Sequence, residues 1–437
     1  MKQLWCEHAW LGGERPEGGV LITLEDDRIE SVEPRTSARP GAERLHGLTL
    51  PGLANSHSHA FQRALRGRTH GGSGSFWTWR EQMYELAGSI DPDSYLALAR
   101  ATFGEMVLAG VTVVGEFHYV HHEPGGKLYA DPNAMGHAVI QAAAEAGIRI
   151  TLIDACYVRG GFGQEPDGVQ KRFSDGDAEA WVRRVDSIDK GARVGAAIHS
   201  VRAVDPDSAR VVADWAAARS APLHAHVSEQ PAENDGCLAA HGVSPTGLLS
   251  SVGALSERFT AVHATHLTDV DIRMLGEAGV TCCFCPTTER DLADGIGPAP
   301  RLREAGTRLS LGSDSHAVID VLEEARAVEL DERLATGVRG NHSPAELLSA
   351  ATADGYRCLG WPDGGRIEPG ALADLTTIGL DGVRLAGTGE AHAVPSAVFA
   401  GSAADVRHVM VGGRFIVRDG AHVDLDVARE LELALMP

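Results

Sequence analysis

Between residues 48 and 316 the chain repeats one pattern, a short and nearly continuous apolar run followed by a stretch with helical spacing. Eight such runs stand out: LTLPGLANSHSH (48–59), VTVVGEFHY (111–119), IRITLIDACY (148–157), RVGAAIHSVR (193–202), APLHAHVSE (221–229), FTAVHATH (259–266), VTCCFCPTT (280–288) and RLSLGSDSH (308–316). Runs of this kind are the mark of parallel strands buried on both faces. The segments between them, such as 92–110, 131–147, 205–220 and 268–279, open on Asp or Thr and mostly close on Gly. Those are the start and stop signals of helices. Eight strand-then-helix units predict a (β/α)8 barrel spanning 51–360, an architecture that uses about 250 residues or more as a single unit.

The two ends of the chain read differently. Residues 1–50 hold short alternating runs, and residues 361–437 return to β-like stretches, among them VRHVMVGGRFIVRDG, whose Gly412–Gly413 predicts a hairpin turn. The two ends are expected to share one composite, sandwich-like β subdomain. No repeat of 20–50 residues is found. The longest low-complexity tract is GGSGS (71–75).

Polar residues gather at the C-terminal ends of the apolar runs: His57 and His59, His199 and Arg202, His224, His226 and Glu229, His263 and His266, Asp314 and His316. In a closed parallel barrel those ends converge on one face, where active sites are built. Residues i and i+2 of a strand share a side, so His57 and His59 point into one space, as two arms for one cation. Imidazole suits zinc, iron and other borderline metals.

Composition narrows the choice. The formal charge of −21 on 437 residues repels nucleic acid and anionic membranes. No window reaches the roughly 18 apolar residues of a membrane span, and the N-terminal MKQLWCEHAWLGGERPEGG has no leader-like apolar core. Seven cysteines without framework spacing predict a reducing cytoplasm. Cys282 and Cys285 form a CxxC with no second pair, and read as buried strand residues. Neither a Gly-x-Gly-x-x-Gly helix opening nor a Walker loop is present.

PGLANSHSHA, HAHVSEQ, VHATH and LGSDSH, in this order and spacing, resemble the amidohydrolase superfamily, and the resemblance runs over nearly the whole chain, GALADL (370–375) included. It implies a deformed barrel with catalytic metal at its mouth. Binuclear members bridge two ions with a lysine at the end of the fourth strand. GAAIHSVRAV has none, and the four lysines, Lys2, Lys127, Lys171 and Lys190, fall at no strand end. The expectation is therefore one divalent ion, zinc by resemblance, held by His57, His59, His226 and Asp314. His224 imitates a ligand, but the family pattern selects the histidine directly before Val-Ser-Glu. His118, His121 and His122 are read as loop residues. Asp314 and His263 are expected to take the proton of the attacking water, and Glu229 to protonate the substrate nitrogen, as in the superfamily's deaminase branch.

SHAFQRALRG, GSFWTWREQMY, EFHYVHH and HSVRAV narrow the resemblance to the N-formimino-L-glutamate deiminase family. It implies a small dicarboxylate substrate, bound by Gln62, Arg80, Tyr119, His199 and Arg202, and a homodimer. Two guanidiniums make chemical sense for holding such an anion within an acidic protein. Plainer roles are open to several of these residues: Arg80 stacking on Trp77 or Trp79, Gln62 or Glu229 capping a helix, Arg202 pairing with Asp205. Two other functions compete. One is a deaminase of guanine or a related purine, which would favour stacking over arginines. The other is a non-catalytic assembly protein, which would have lost the ligands retained here.

Overall fold

The computed structural model describes residues 2–71, 74–189 and 191–436. The chain opens with β1 (Lys2–Ala9), β2 (Glu17–Glu25), β3 (Arg28–Glu33) and β4 (Glu43–Pro51). Eight strands follow that carry the barrel: β5 (Leu53–Ser58), β6 (Val111–His118), β7 (Arg149–Cys156), β8 (Arg193–Ile198), β9 (Leu223–Val227), β10 (Phe259–His263), β11 (Thr281–Phe284) and β12 (Arg308–Leu311). These pair in sequence order, β5 through β12, and every ladder between them is parallel. All residues of β5, β6, β9, β10 and β11 are buried, as their unbroken apolar character requires.

The barrel closes in an irregular way. β12 and β5 share no ladder, only a bridge between Ser58 and Asp314. Around it His59 N–H donates to Asp314 O (3.1 Å) and Asp314 N–H to His57 O (3.0 Å). Below, Asn55 and Ser313 exchange two further hydrogen bonds, at 2.7 and 3.0 Å.

The chain ends do share one sheet. β13 (Leu375–Ile378), β14 (Val406–Val411), β15 (Arg414–Arg418) and β16 (Ala421–His422) join the first four strands in the order β16-β15-β14-β13-β4-β1-β2-β3. Leu4, Ile22, Leu45, Met410 and Phe415 help to form its own apolar core. Gly412 and Gly413 turn the β14–β15 hairpin with φ of 55° and 74°, the doubly left-handed geometry of a type I′ turn. Asp374, from GALADL, ties sheet to barrel. Its carboxylate accepts from Arg149, Tyr356 and the Gly412 N–H, and its carbonyl accepts from Gly52 N–H.

One expected strand is two. The run 48–59 breaks at Pro51–Gly52, with β4 in the terminal sheet and β5 in the barrel. A side chain at Gly52 would collide with Thr112, so the crossing between sheets needs a residue without a Cβ. The helices start where the pattern put them. Asp91, Asp205 and Thr268 each accept the N–H three residues on, capping Pro92–Leu108, Pro206–Arg219 and Asp269–Glu277. Among the described residues no helix is long and apolar enough to cross a membrane, and all seven cysteines are buried and unpaired.

Candidate active site

The strand ends deliver their polar side chains to one cavity. It is lined by Gln62, Arg80, Tyr119, His199 and Arg202, by Glu229, His263 and Asp314, and by His59 and His226. His57 lies beneath them, wholly buried. Three of the backbone positions involved are forced into the left-handed region: Ser228 (φ 52°), His263 (φ 67°) and Asp314 (φ 42°). Non-glycine residues hold such angles at a cost of order 1–3 kcal/mol each, and they gather at functional sites.

A cluster of donor atoms occupies the floor. One atom each from His57, His226, His263 and Asp314 lies within 4.8 Å of the others. His59 Nε2 reaches the same group, 3.3 Å from Asp314 Oδ1, while His57 Nε2 is 3.2 Å from it. The tautomers follow from the second nitrogens. His59 Nδ1 donates to Phe117 O (2.9 Å) and His226 Nδ1 to His199 O (2.8 Å), so each ring turns a bare Nε2 lone pair inward. Neither nitrogen of His57 makes a well-directed hydrogen bond, although both are buried. Burial pushes the His57 pKa down to about 3. Asp314 is held well below the usual carboxylate range: burial opposes this, but the adjoining His57 and His59 rings prevail. Neutral imidazoles, an ionised carboxylate and orphaned buried lone pairs are what a divalent cation requires.

His263 differs from the other histidines. Its Nδ1 faces Glu289 Oε1 at 3.3 Å, and its Nε2 faces Glu229 Oε1 at 3.7 Å and Asp314 Oδ2 at 3.9 Å. Burial opposes a charge there, yet Glu229, the Glu289 bond and Asp314 together carry its pKa well above the ordinary histidine value. A ring among three carboxylates favours holding a proton. Glu229, beyond the end of β9, is buried and its pKa is raised, burial being the main cause. A carboxyl group raised in this way is better disposed to act as an acid than an exposed one.

The substrate candidates line the other side. Gln62, from the 3-10 turn Ala60–Leu65, donates to Tyr119 Oη (2.9 Å) rather than capping a helix. Arg80, from the helix Phe76–Ser89, stacks over Trp77 (4.5 Å) and Tyr84 (5.4 Å) and still faces the cavity. Arg202 does not pair with Asp205. Its Nε donates to Glu233 Oε2 at 2.6 Å, while Asp205 caps its helix and binds Arg159.

Other residues stand apart from the cavity. His224 Nε2 donates to Cys358 O (3.2 Å) and His266 Nε2 to Asp294 O (2.7 Å). Of the three histidines read as loop residues, His118 instead ends β6, His121 and His122 do lie in the loop that follows, and all three are buried. His121 donates to Ala155 O, and His122 lies 3.1 Å from Asp175. The neighbouring Asp154 is engaged by Arg184 and Trp181. Lys2, Lys127 and Lys171 do not line the cavity. Lys190 and part of the GGSGS tract lie outside the described residues. Tyr84, Tyr157, Phe173, Glu233 and Glu289 were not singled out by the sequence. Each acts through packing or a partner elsewhere in the chain; Tyr84 closes GSFWTWREQMY and Tyr157 closes the run 148–157, while Phe173, Glu233 and Glu289 lie in no motif.

The Amidohydrolase family profile matches residues 48–416. The chain belongs to the amidohydrolase family. It is 38% identical to the formimidoylglutamate deiminase of Pseudomonas aeruginosa, over 97% of this chain and 96% of that protein. It is 32% identical to the 8-oxoguanine deaminase of the same organism, over 94% and 92%. Among solved structures it superposes on an amidohydrolase from Brucella melitensis with a TM-score of 0.92 and 32% identity, covering 100% of this chain and 99% of that one. As an amidohydrolase the chain has the expected architecture, a parallel barrel beside a sheet built from both ends.

Proposed function

We propose that this amidohydrolase removes the imino nitrogen of N-formimino-L-glutamate, giving N-formyl-L-glutamate and ammonia. The reading rests on one observation: Arg80 and Arg202 share a single cavity with Glu229, His263 and Asp314. An anion clamp thus sits beside a hydrolytic centre. The 38% identity to a formimidoylglutamate deiminase over nearly the whole chain supports it.

His57, His59, His226 and Asp314 would hold one divalent ion, zinc on this reading. His59 is preferred to His263 because its Nε2 carries a lone pair, whereas His263 is set to carry a proton. Bound there, the cation supplies Lewis-acid chemistry, lowering the pKa of water toward about 7. Asp314 takes the proton released as water adds to the formimino carbon, and His263, holding its proton between Glu229 and Asp314, orients that water. Glu229 donates a proton to the terminal imino nitrogen, and the bond from carbon to that nitrogen breaks to release ammonia. Arg80 and Arg202 fix the substrate carboxylates as planar forks, with Gln62, Tyr119 and His199 adding hydrogen bonds. Tyr84 and Tyr157 both pack against Phe173 in the wall of the cavity. The enzyme is, on the same reading, a cytoplasmic homodimer whose barrel spans 51–360.

A purine substrate is the competing reading, supported by the relative named 8-oxoguanine deaminase. Two guanidiniums in the cavity argue against a neutral, flat base. Ammonia release from formiminoglutamate, guanine and 8-oxoguanine, assayed side by side on zinc-loaded protein, decides between them. Turnover of a purine and not of formiminoglutamate would overturn the proposal.

A further inference from the structure

Arg202 and Glu229 reach the cavity from different turns, yet one side chain binds both turns. Glu233 lies in the first turn of the helix Pro231–His241 and is almost completely buried. Its Oε2 accepts from Arg202 Nε at 2.6 Å, and its Oε1 accepts from the Ser228 N–H at 2.9 Å. Ser228 is the left-handed residue directly before Glu229. The Nη atoms of Arg202 make no hydrogen bond to any described residue, and the side chain lines the cavity. With Nε fixed, the guanidinium plane is set and its outer edge is left for a ligand. Paired, buried carboxylates of this kind are strong because both partners are desolvated and charge-assisted.

We propose that Glu233 is a positioning residue, aiming the Arg202 fork at a substrate carboxylate and fixing the strained turn on which Glu229 stands. The inference rests on the reading above, that Arg202 and Glu229 face the substrate. Glu233 makes the anion clamp and the proton donor a single unit, so a substrate without a carboxylate would gain nothing from half of it.

The two contacts separate by substitution. Glu233→Gln keeps an oxygen for the Ser228 N–H but turns an amide donor toward the Arg202 donor. Glu233→Met removes both contacts. For zinc-loaded protein, Glu233→Gln is expected to raise KM for formiminoglutamate about tenfold with kcat within about threefold of wild type. Glu233→Met is expected to lower kcat by a further factor of about ten. In an Arg202→Ala background, Glu233→Gln should add no further rise in KM, because its effect passes through that arginine. A purely structural role would lower Tm, and its effect would multiply with that of Arg202→Ala. Should the Met variant not fold, the isosteric Gln variant and the double variant carry the test alone. Unchanged KM in Glu233→Gln beside an active wild type overturns this proposal and leaves the function intact. A wild type that neither turns over formiminoglutamate nor binds N-formyl-L-glutamate in calorimetry overturns both.

Discussion

Glu229→Gln tests the chemistry most directly. The substitution preserves volume in a buried position and keeps an oxygen facing His263, now 3.7 Å away. It removes the transferable proton. Glu229 touches none of the proposed cation ligands in the hydrogen-bond network, so the metal should stay at one equivalent per chain. Loss of a general acid–base group costs about 10²–10⁴-fold, or about 3–5 kcal/mol of barrier. Because the arginines are untouched, KM should move little and the loss should fall on kcat. The pH profile adds a second reading. Burial raises the Glu229 pKa, so the wild-type rate should fall as pH rises through that raised value and the acid form disappears. In the Gln variant that limb should vanish. The assay is coupled ammonia release across about pH 5–8, where most proteins are most stable, with metal content measured on the same samples. A Gln variant with kcat within threefold of wild type, or with the same basic limb, would show that the proton comes from elsewhere.

Three further outcomes are expected. Arg202→Ala should raise KM for formiminoglutamate about 100-fold, near 3 kcal/mol, with unchanged metal content, since it deletes one charged fork; steady-state kinetics with metal analysis checks this. Chelation should abolish ammonia release and zinc should restore it at one equivalent per chain; two required equivalents by plasma emission analysis would contradict the single site. Burial pushes the His224 pKa down to about 4, with the Cys358 carbonyl opposing. The folded value thus lies below the unfolded one, so stability is full above pH 6.5 and is lost on acidification toward 4. Between pH 6.5 and 5 the loss from this group is about 2 kcal/mol, and denaturant titrations of His224→Gln should show a correspondingly flatter slope.

Much of this site was legible because barrel strands announce themselves and their ends have fixed meaning. His57, His59, His226, His263 and Asp314 each stand at or just beyond such an end, so one rule located them all. Helix starts were equally readable from Asp91, Asp205 and Thr268, since a cap is a local event. The break at Gly52 was hidden, because an apolar run does not show which of two sheets each half joins. The partner of Arg202 was hidden for a related reason: Asp205 is near in sequence, but the turn places Glu233 against Nε. His118, His121 and His122 look like loop polarity, yet all three are buried, and Asp175, far along the chain, lies against His122. What is local or periodic can be read from a string of letters, whereas long-range pairing of charges cannot.

The seam of the barrel has a consequence for stability. Its first and last rungs are stitched by a few hydrogen bonds, half of them made by the residues meant to grip the ion. A cation held by His57, His59 and Asp314 would be a clasp between two distant parts of the chain, adding its binding energy to the stability of a joint the backbone already closes.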